Sequence, residues 1–151
     1  MTSAPQTLRW GHQALEVEIG VDEDGTPRLT RIGLPGGVRP ERRNWPPLPL
    51  VEVTAAGHGR VWSGGRLIDT SLGGRLRHRA HRVSRDGDWH ELRVELHDPE
   101  TGLVAEVTYR SPDGVPVLRA EVDLRNEGET TLHLESVSSL CLLYTSDAAD
   151  E

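Results

Sequence analysis

The chain has 151 residues, enough for one domain with its own core and too few for two of ordinary size. Apolar residues make up 35% and charged residues 27%, with 16 Gly and 10 Pro, a balance that excludes a membrane bundle, a coiled coil and a wholly disordered chain. The formal charge of −7 argues against a nucleic-acid binder held through phosphates, and the single cysteine allows no internal disulfide and no cysteine-based zinc site.

Met1 to Leu15 contains no apolar run of the length of a secretory signal, and no later window reaches a membrane span, so a cytoplasmic location with no membrane partner is expected. The first clear element is the alternation of Leu15, Val17, Ile19 and Val21, a half-buried strand. Asp22-Glu23-Asp24-Gly25 follows as an acidic hairpin turn. Its Gly stands at the fourth place, where a calcium loop of the EF-hand type needs it at the sixth. Residues 33–49 carry Pro35, Pro40, Pro46, Pro47 and Pro49, which withhold backbone donors, and are expected to form an exposed loop or arm.

Gly64-Gly65 and Gly73-Gly74 lack the Lys-Ser/Thr ending of a phosphate loop and are expected to be hairpin turns. From Gly73 onward turn signals recur about a strand apart: Asp86-Gly87, Thr101-Gly102, Asp113-Gly114 and Glu127-Gly128. Between them Leu92, Val94 and Leu96 alternate with Glu91, Arg93, Glu95 and His97. Leu103, Ala105, Val107 and Tyr109 alternate with Val104, Glu106, Thr108 and Arg110, and Leu118, Ala120, Val122 and Leu124 with Arg119, Glu121, Asp123 and Arg125. No window carries a helical stripe of ten residues. Strands with one apolar face must bury it against a second sheet, so the expected fold is all-β, an antiparallel twisted β-sandwich of the supersandwich kind without substantial helix.

All 17 cationic residues are Arg, and Phe is absent. Residues 141–151 break this bias: they hold the only cysteine and one of two tyrosines, and no Gly, Pro or Arg. Their whole length resembles one reading frame of the transposase adapter used in preparing sequencing libraries, so they are set apart as an artefactual tail, in preference to an ordinary acidic terminus. Residues 1–140 are then expected to be the front end of a longer protein.

No Gly-x-Ser-x-Gly elbow presents a serine, and Cys141 belongs to the tail, so no nucleophile stands out. His78 and His81 invite a metal, but three residues along a regular strand puts two rings on opposite faces, so no metal and no cofactor are expected. The basic run Arg75 to Arg82 places Arg75, Arg77 and Arg79 on one face of a strand. Without aromatic platforms it suits pairing with Glu-bearing neighbours better than nucleic acid, with an anion site as the alternative. The four Trp suit sugar stacking or core packing. Trp89 opens an alternating strand and is expected in the core. Trp45 in the arm and Trp62 before Gly64-Gly65 are the candidate substrate-binding residues, at an interface or rim.

Three blocks carry a family likeness: Leu50-Val51-Glu52-Val53 leading to Gly57-His58-Gly59; Leu92 to Tyr109, with its acid, Thr101-Gly102-Leu103 and Tyr109; and Val117 to Gly128, ending in Arg125-Asn126-Glu127-Gly128. From Leu48 to Leu140 the chain resembles the N-terminal sandwich of bacterial α-galactosidases of glycoside hydrolase family 36. Where that family shows an acid, an aromatic and an arginine after the Gly-His-Gly, this chain has Arg60, Val61 and Trp62, so the resemblance carries no substrate role onto them. It implies a following (β/α)₈ barrel and a smaller C-terminal β domain. The barrel would hold both catalytic carboxylates of a retaining enzyme acting on terminal α-galactosides. The implied partners are that barrel, further copies of the chain in an oligomer, and an α-galactoside for the whole enzyme. Two other readings stay open: a self-contained carbohydrate-binding sandwich, and an adhesion or scaffold sandwich.

Overall fold

The computed structural model describes residues 4–37, 48–59 and 70–140. In chain order they form β1 (Gln6–His12), β2 (Leu15–Val21), β3 (Pro27–Gly33), β4 (Leu48–Pro49) and β5 (Glu52–Ala55). A single helical turn, α1 (Ser71–Arg75), follows, and then β6 (Arg77–Asp86), β7 (Trp89–His97), β8 (Leu103–Pro112), β9 (Arg119–Asn126) and β10 (Leu134–Ser138). Every strand pairing among them is antiparallel. One sheet runs β1-β2-β3-β4, a second runs β6-β7-β8-β9, and β5 pairs with the last strand, β10, in a two-stranded sheet. The fold is the expected all-β antiparallel sandwich.

Alternation decides which side chains meet between the sheets. Val17 and Ile19 of β2, Leu92 and Val94 of β7, and Ala105, Val107 and Tyr109 of β8 fall in one continuous core cluster with Val53 of β5 and Leu72 of α1. Each such side chain contributes about 1.5–3 kcal/mol by leaving water. The Asp22–Gly25 turn is a hairpin as expected, with Gly25 at φ +83° and its amide donating to the Asp22 carbonyl. The ends of the Pro-rich segment are strand instead of loop: Gly33 closes β3, and Leu48–Pro49 returns as β4 against Leu29 and Arg28. Its middle, residues 38–47, lies outside the described residues.

Gly73-Gly74 is not a hairpin turn. It lies inside α1, because Thr70 caps that turn: its Oγ1 accepts from the Gly73 amide at 3.1 Å and donates to the Glu52 carboxylate at 2.5 Å. A side chain at Gly73 would collide with Thr70, Glu52 and the Val51 carbonyl. A local Gly-Gly pair reads as a turn; a buried carboxylate eighteen residues upstream turns it into a helix cap. Arg75 ends this helix and so leaves the strand row on which Arg77 and Arg79 were expected beside it.

Asp98, at the β7–β8 turn, has no solvent exposure. Its carboxylate accepts from Arg75 Nε and Nη2, from Thr101 Oγ1 at 2.6 Å and from the Glu100 amide. Gly102, at φ +76°, then packs backbone to backbone on Gly128, whose missing Cβ leaves room for the Thr101 carbonyl, and the Glu127 amide donates to the Gly102 carbonyl. Asn126 closes the second turn by accepting from Gly128 and donating to Thr130. The Thr-Gly-Leu and Arg-Asn-x-Gly motifs are thus two halves of one turn-to-turn contact.

Among the described residues, part of the apolar surface is left incompletely covered. The apolar residues of β9 share the inner face with β8, yet Leu118, Ala120, Val122 and Leu124 are only half-buried. Val115 and Val117 before β9, and Leu134 and Val137 in β10, are exposed.

Two outcomes follow from this packing. Arg75, Thr101 and the Glu100 amide hold the Asp98 carboxyl below the usual Asp range despite burial. The unfolded chain therefore takes up the proton first, and the contribution is present above about pH 4 and drains away as pH falls through the folded value. Asp98→Ala is expected to cost about 3 kcal/mol at pH 7 in urea unfolding, with the gap to the parent chain closing in acid. The Tyr109 hydroxyl is buried without a hydrogen-bond partner among the described residues, and burial pushes its pKa up. Tyr109→Phe is expected to leave the urea midpoint unchanged or raise it, because it removes an unsatisfied group.

Candidate functional site

Trp45 and Trp62, the candidate substrate-binding residues, lie outside the described residues. The other two Trp separate. Trp10 in β1 is a core residue packed between the sheets, its indole Nε1 buried without a partner among the described residues. Trp89 does not enter the core. It shares strand parity with Glu91, Arg93 and Glu95, so it stands on the outer face of the β6–β9 sheet, 37% exposed, with the Arg110 guanidinium 5.2 Å from its ring centre. The strand rule that placed Leu92 and Val94 inside places Trp89 outside.

The chemistry-bearing side chains that the fold gathers from farthest apart sit at one end of the sandwich. His12 Nε2 is 2.8 Å from Ser111 Oγ, the His12 and His90 rings are 5.0 Å apart, and His90 Nε2 is 2.9 Å from Asp113 Oδ1. Ser111 and His12 are 99 residues apart, and only the stacking of the β1–β2 end on the ends of β7 and β8 joins them, so no local pattern announces the cluster. It resembles a hydrolytic constellation in composition, but its hydrogen bonds run the wrong way. The Ala14 amide donates to His12 Nδ1, which leaves the proton on Nε2. His12 therefore donates to Ser111, and the serine hydroxyl donates in turn to the Val117 carbonyl at 2.6 Å. A base must accept the proton of its nucleophile; here the imidazole has no lone pair facing Ser111, which is itself fully buried.

An open groove of about 400 Å³ runs beside this end, where β1 meets β6, lined by Arg9, Trp10, His12, Glu16, Pro35 and Val83. Its charged groups are engaged: Arg9 pairs with Glu18 at 3.1 Å, and Glu16 with Arg31 at 3.4 Å.

The outer face of the β6–β9 sheet is a lattice of ion pairs. Arg79 and Arg125 each reach both Glu95 and Glu127, Arg93 reaches Glu91 and Glu106, and Arg110 reaches Glu91. This is the expected pairing of the basic run with Glu-bearing neighbours, realised by Arg79. Arg77 pairs with Asp24 instead, and Arg75 with Asp98 and Glu100. The pairs have an electrostatic consequence. Hydrogen bonds from Arg93 lower Glu91, those from Arg79 lower Glu127, and the His90 bond lowers Asp113. Among the described residues, every carboxylate with a resolved shift moves down, the opposite of what a general acid for glycosidic oxygen requires.

The two histidines of β6 correct the sequence argument about metals. A bulge between His78 and Ala80 inserts one residue, so His78 lies opposite Leu96 and His81 opposite Val94, on the same face. Their Nε2 and Nδ1 atoms are 3.2 Å apart. Among the described residues no group of three or more His, Cys, Asp or Glu gathers to hold an ion, and no helix is long and apolar enough to cross a membrane.

Comparison of the chain with protein-family models and with curated proteins returns no match.

The direction of the His12–Ser111 bond gives a checkable outcome. A fluorophosphonate serine probe is expected to leave the chain unlabelled, and Ser111→Ala is expected to lower stability by about 1 kcal/mol through the orphaned Val117 carbonyl. Labelling at Ser111 would mean that the serine is activated after all.

Proposed function

We propose that residues 1–140 are the non-catalytic N-terminal β-sandwich of a longer retaining α-galactosidase of the family 36 type, whose (β/α)₈ barrel performs the hydrolysis. The observation that carries this reading is the incompletely covered apolar surface. The inner face of β9 is half-buried, Val115 and Val117 just before it are exposed, and so are Leu134 and Val137 of β10. An apolar sheet face left wet costs about 25 cal/mol per Å² relative to a covered one, so such a face favours a packing partner. A barrel continuing from the same polypeptide would supply that partner at no translational cost. The downward-shifted carboxylates agree with placing the acid/base chemistry elsewhere, in a desolvated pocket that can raise one pKa.

In this reading the domain packs against the barrel and shapes access to it, and the arm carrying Trp45 is an interface in an oligomer. A cytoplasmic setting and a terminal α-galactoside as substrate of the whole enzyme belong to the same proposal. No cofactor enters it.

One observation favours a second reading, a carbohydrate-binding sandwich without an attached catalyst. Trp89 offers an indole on the outer face, braced by Arg110 and flanked by Glu91, which is the mixture of apolar plane and polar rim that a pyranose uses.

Both readings are tested together. Reading the source gene past the codon for Leu140 is expected to reveal a frame of about 250 residues or more with alternating strand and helix patterns. Purified residues 1–140 are expected to release no galactose from a chromogenic α-galactoside, while the extended protein does. A natural stop codon directly after Glu151 would overturn the proposal. Saturable galactoside binding by the isolated chain, abolished by Trp89→Ala, would select the second reading.

A further inference from the structure

The bulge in β6 makes a place that the domain reading does not use. A regular strand would turn His78 and His81 away from each other; the extra residue brings both imidazoles to the inner side of the β6 edge, where His78 is half-buried and His81 exposed. The pair is held in place. The His78 amide donates to the Gly25 carbonyl at 2.8 Å, fastening β6 to the β2–β3 turn, and the Gln6 amide group of β1 lies 3.4 Å from His78 Nδ1.

We infer that His78 and His81 form a two-imidazole chelate for a divalent transition ion, with solvent completing the coordination shell. The argument is metric. With metal–nitrogen bonds of about 2.0–2.1 Å, ligand atoms 3.2 Å apart correspond to a nitrogen–metal–nitrogen angle of about 100°, between the square-planar and tetrahedral values. The nitrogens already stand at chelating separation, so binding requires only a swing of the rings that brings both lone pairs onto one point, a change of imidazole tautomer and a rotation of the Gln6 amide. In the free chain the bridging proton lies between His78 Nε2 and His81 Nδ1. On binding it moves through solvent to His78 Nδ1, and a half-turn of the Gln6 amide presents the oxygen that accepts it. Two nitrogen ligands without a carboxylate favour Cu²⁺ or Zn²⁺ over Mg²⁺ or Ca²⁺.

The test uses the full chain carrying Cys141→Ser, so that the thiol contributes nothing. Titration with Cu²⁺ and with Zn²⁺, against Mg²⁺ as the blank, is expected to give one saturable equivalent. His78→Asn and His81→Asn are each expected to weaken it by about tenfold or more, and Gln6→Ala by a smaller factor, while His12→Gln and His90→Gln leave it unchanged. On the unsubstituted histidines, substoichiometric Cu²⁺ is expected to broaden the ring proton signals of His78 and His81 before those of the other five. This readout decides the matter even where a variant fails to fold. Binding that survives both His78→Asn and His81→Asn, broadening that begins at other histidines, or no saturation below about 1 mM would each overturn the site.

Discussion

A carboxylate without solvent exposure is tolerable only where hydrogen bonds replace its water, and the turn architecture of this domain is arranged around one such group. Asp98 takes bonds from α1 through Arg75, from its own turn through Thr101 and the Glu100 amide, and its backbone pairs with Leu103 and Gly102. The turn it fixes presents Gly102 to Gly128, and that contact sets where β9 leaves the sheet. A second buried carboxylate, Glu52, does the same for α1 through Thr70. The hydrophobic core fills the space between the sheets, but these two acids determine how the connections cross its ends.

The strands were legible because period two is a local property. Leu15 to Val21, Leu92 to Leu96 and Leu103 to Tyr109 each show their buried face in the residue order, and the glycines with positive φ at 25, 87, 102 and 114 mark the turns between them. What the order of residues does not contain is any event that joins distant positions. Gly73-Gly74 became helical because of Glu52, and the bulge at Arg79 reversed the geometry expected of His78 and His81. Trp89 is a different case: its parity with Glu91 and Arg93 already marks the outer face, against the general affinity of indole for cores. Trp45 and Trp62 fall outside the described residues.

The motifs that carry the likeness to a glycosidase domain turn out to have structural work of their own. Thr101-Gly102-Leu103 and Arg125-Asn126-Glu127-Gly128 meet across a backbone contact too tight for side chains, and Asp98 organises the first of them. Residues of this kind specify a turn geometry that any chain with the same sandwich would need. They account for a turn geometry and not for a reaction, because function resides in sites placed on folds and not in the folds themselves.

The distribution of charge separates the two faces of the β6–β9 sheet. Its outer face is saturated with Arg–carboxylate pairs, each worth little singly because they are exposed, yet together they leave few charges free to bind a ligand. Its inner face is apolar along the middle of the strands, with His78, His81, His90 and Ser111 toward its edge and end, and the apolar residues of β9 on it are only half-buried. A sheet built this way is finished on one side and unfinished on the other. The side that wants a partner is the apolar one, which is why the proposed function places the barrel there and assigns the ion-paired face to solvent.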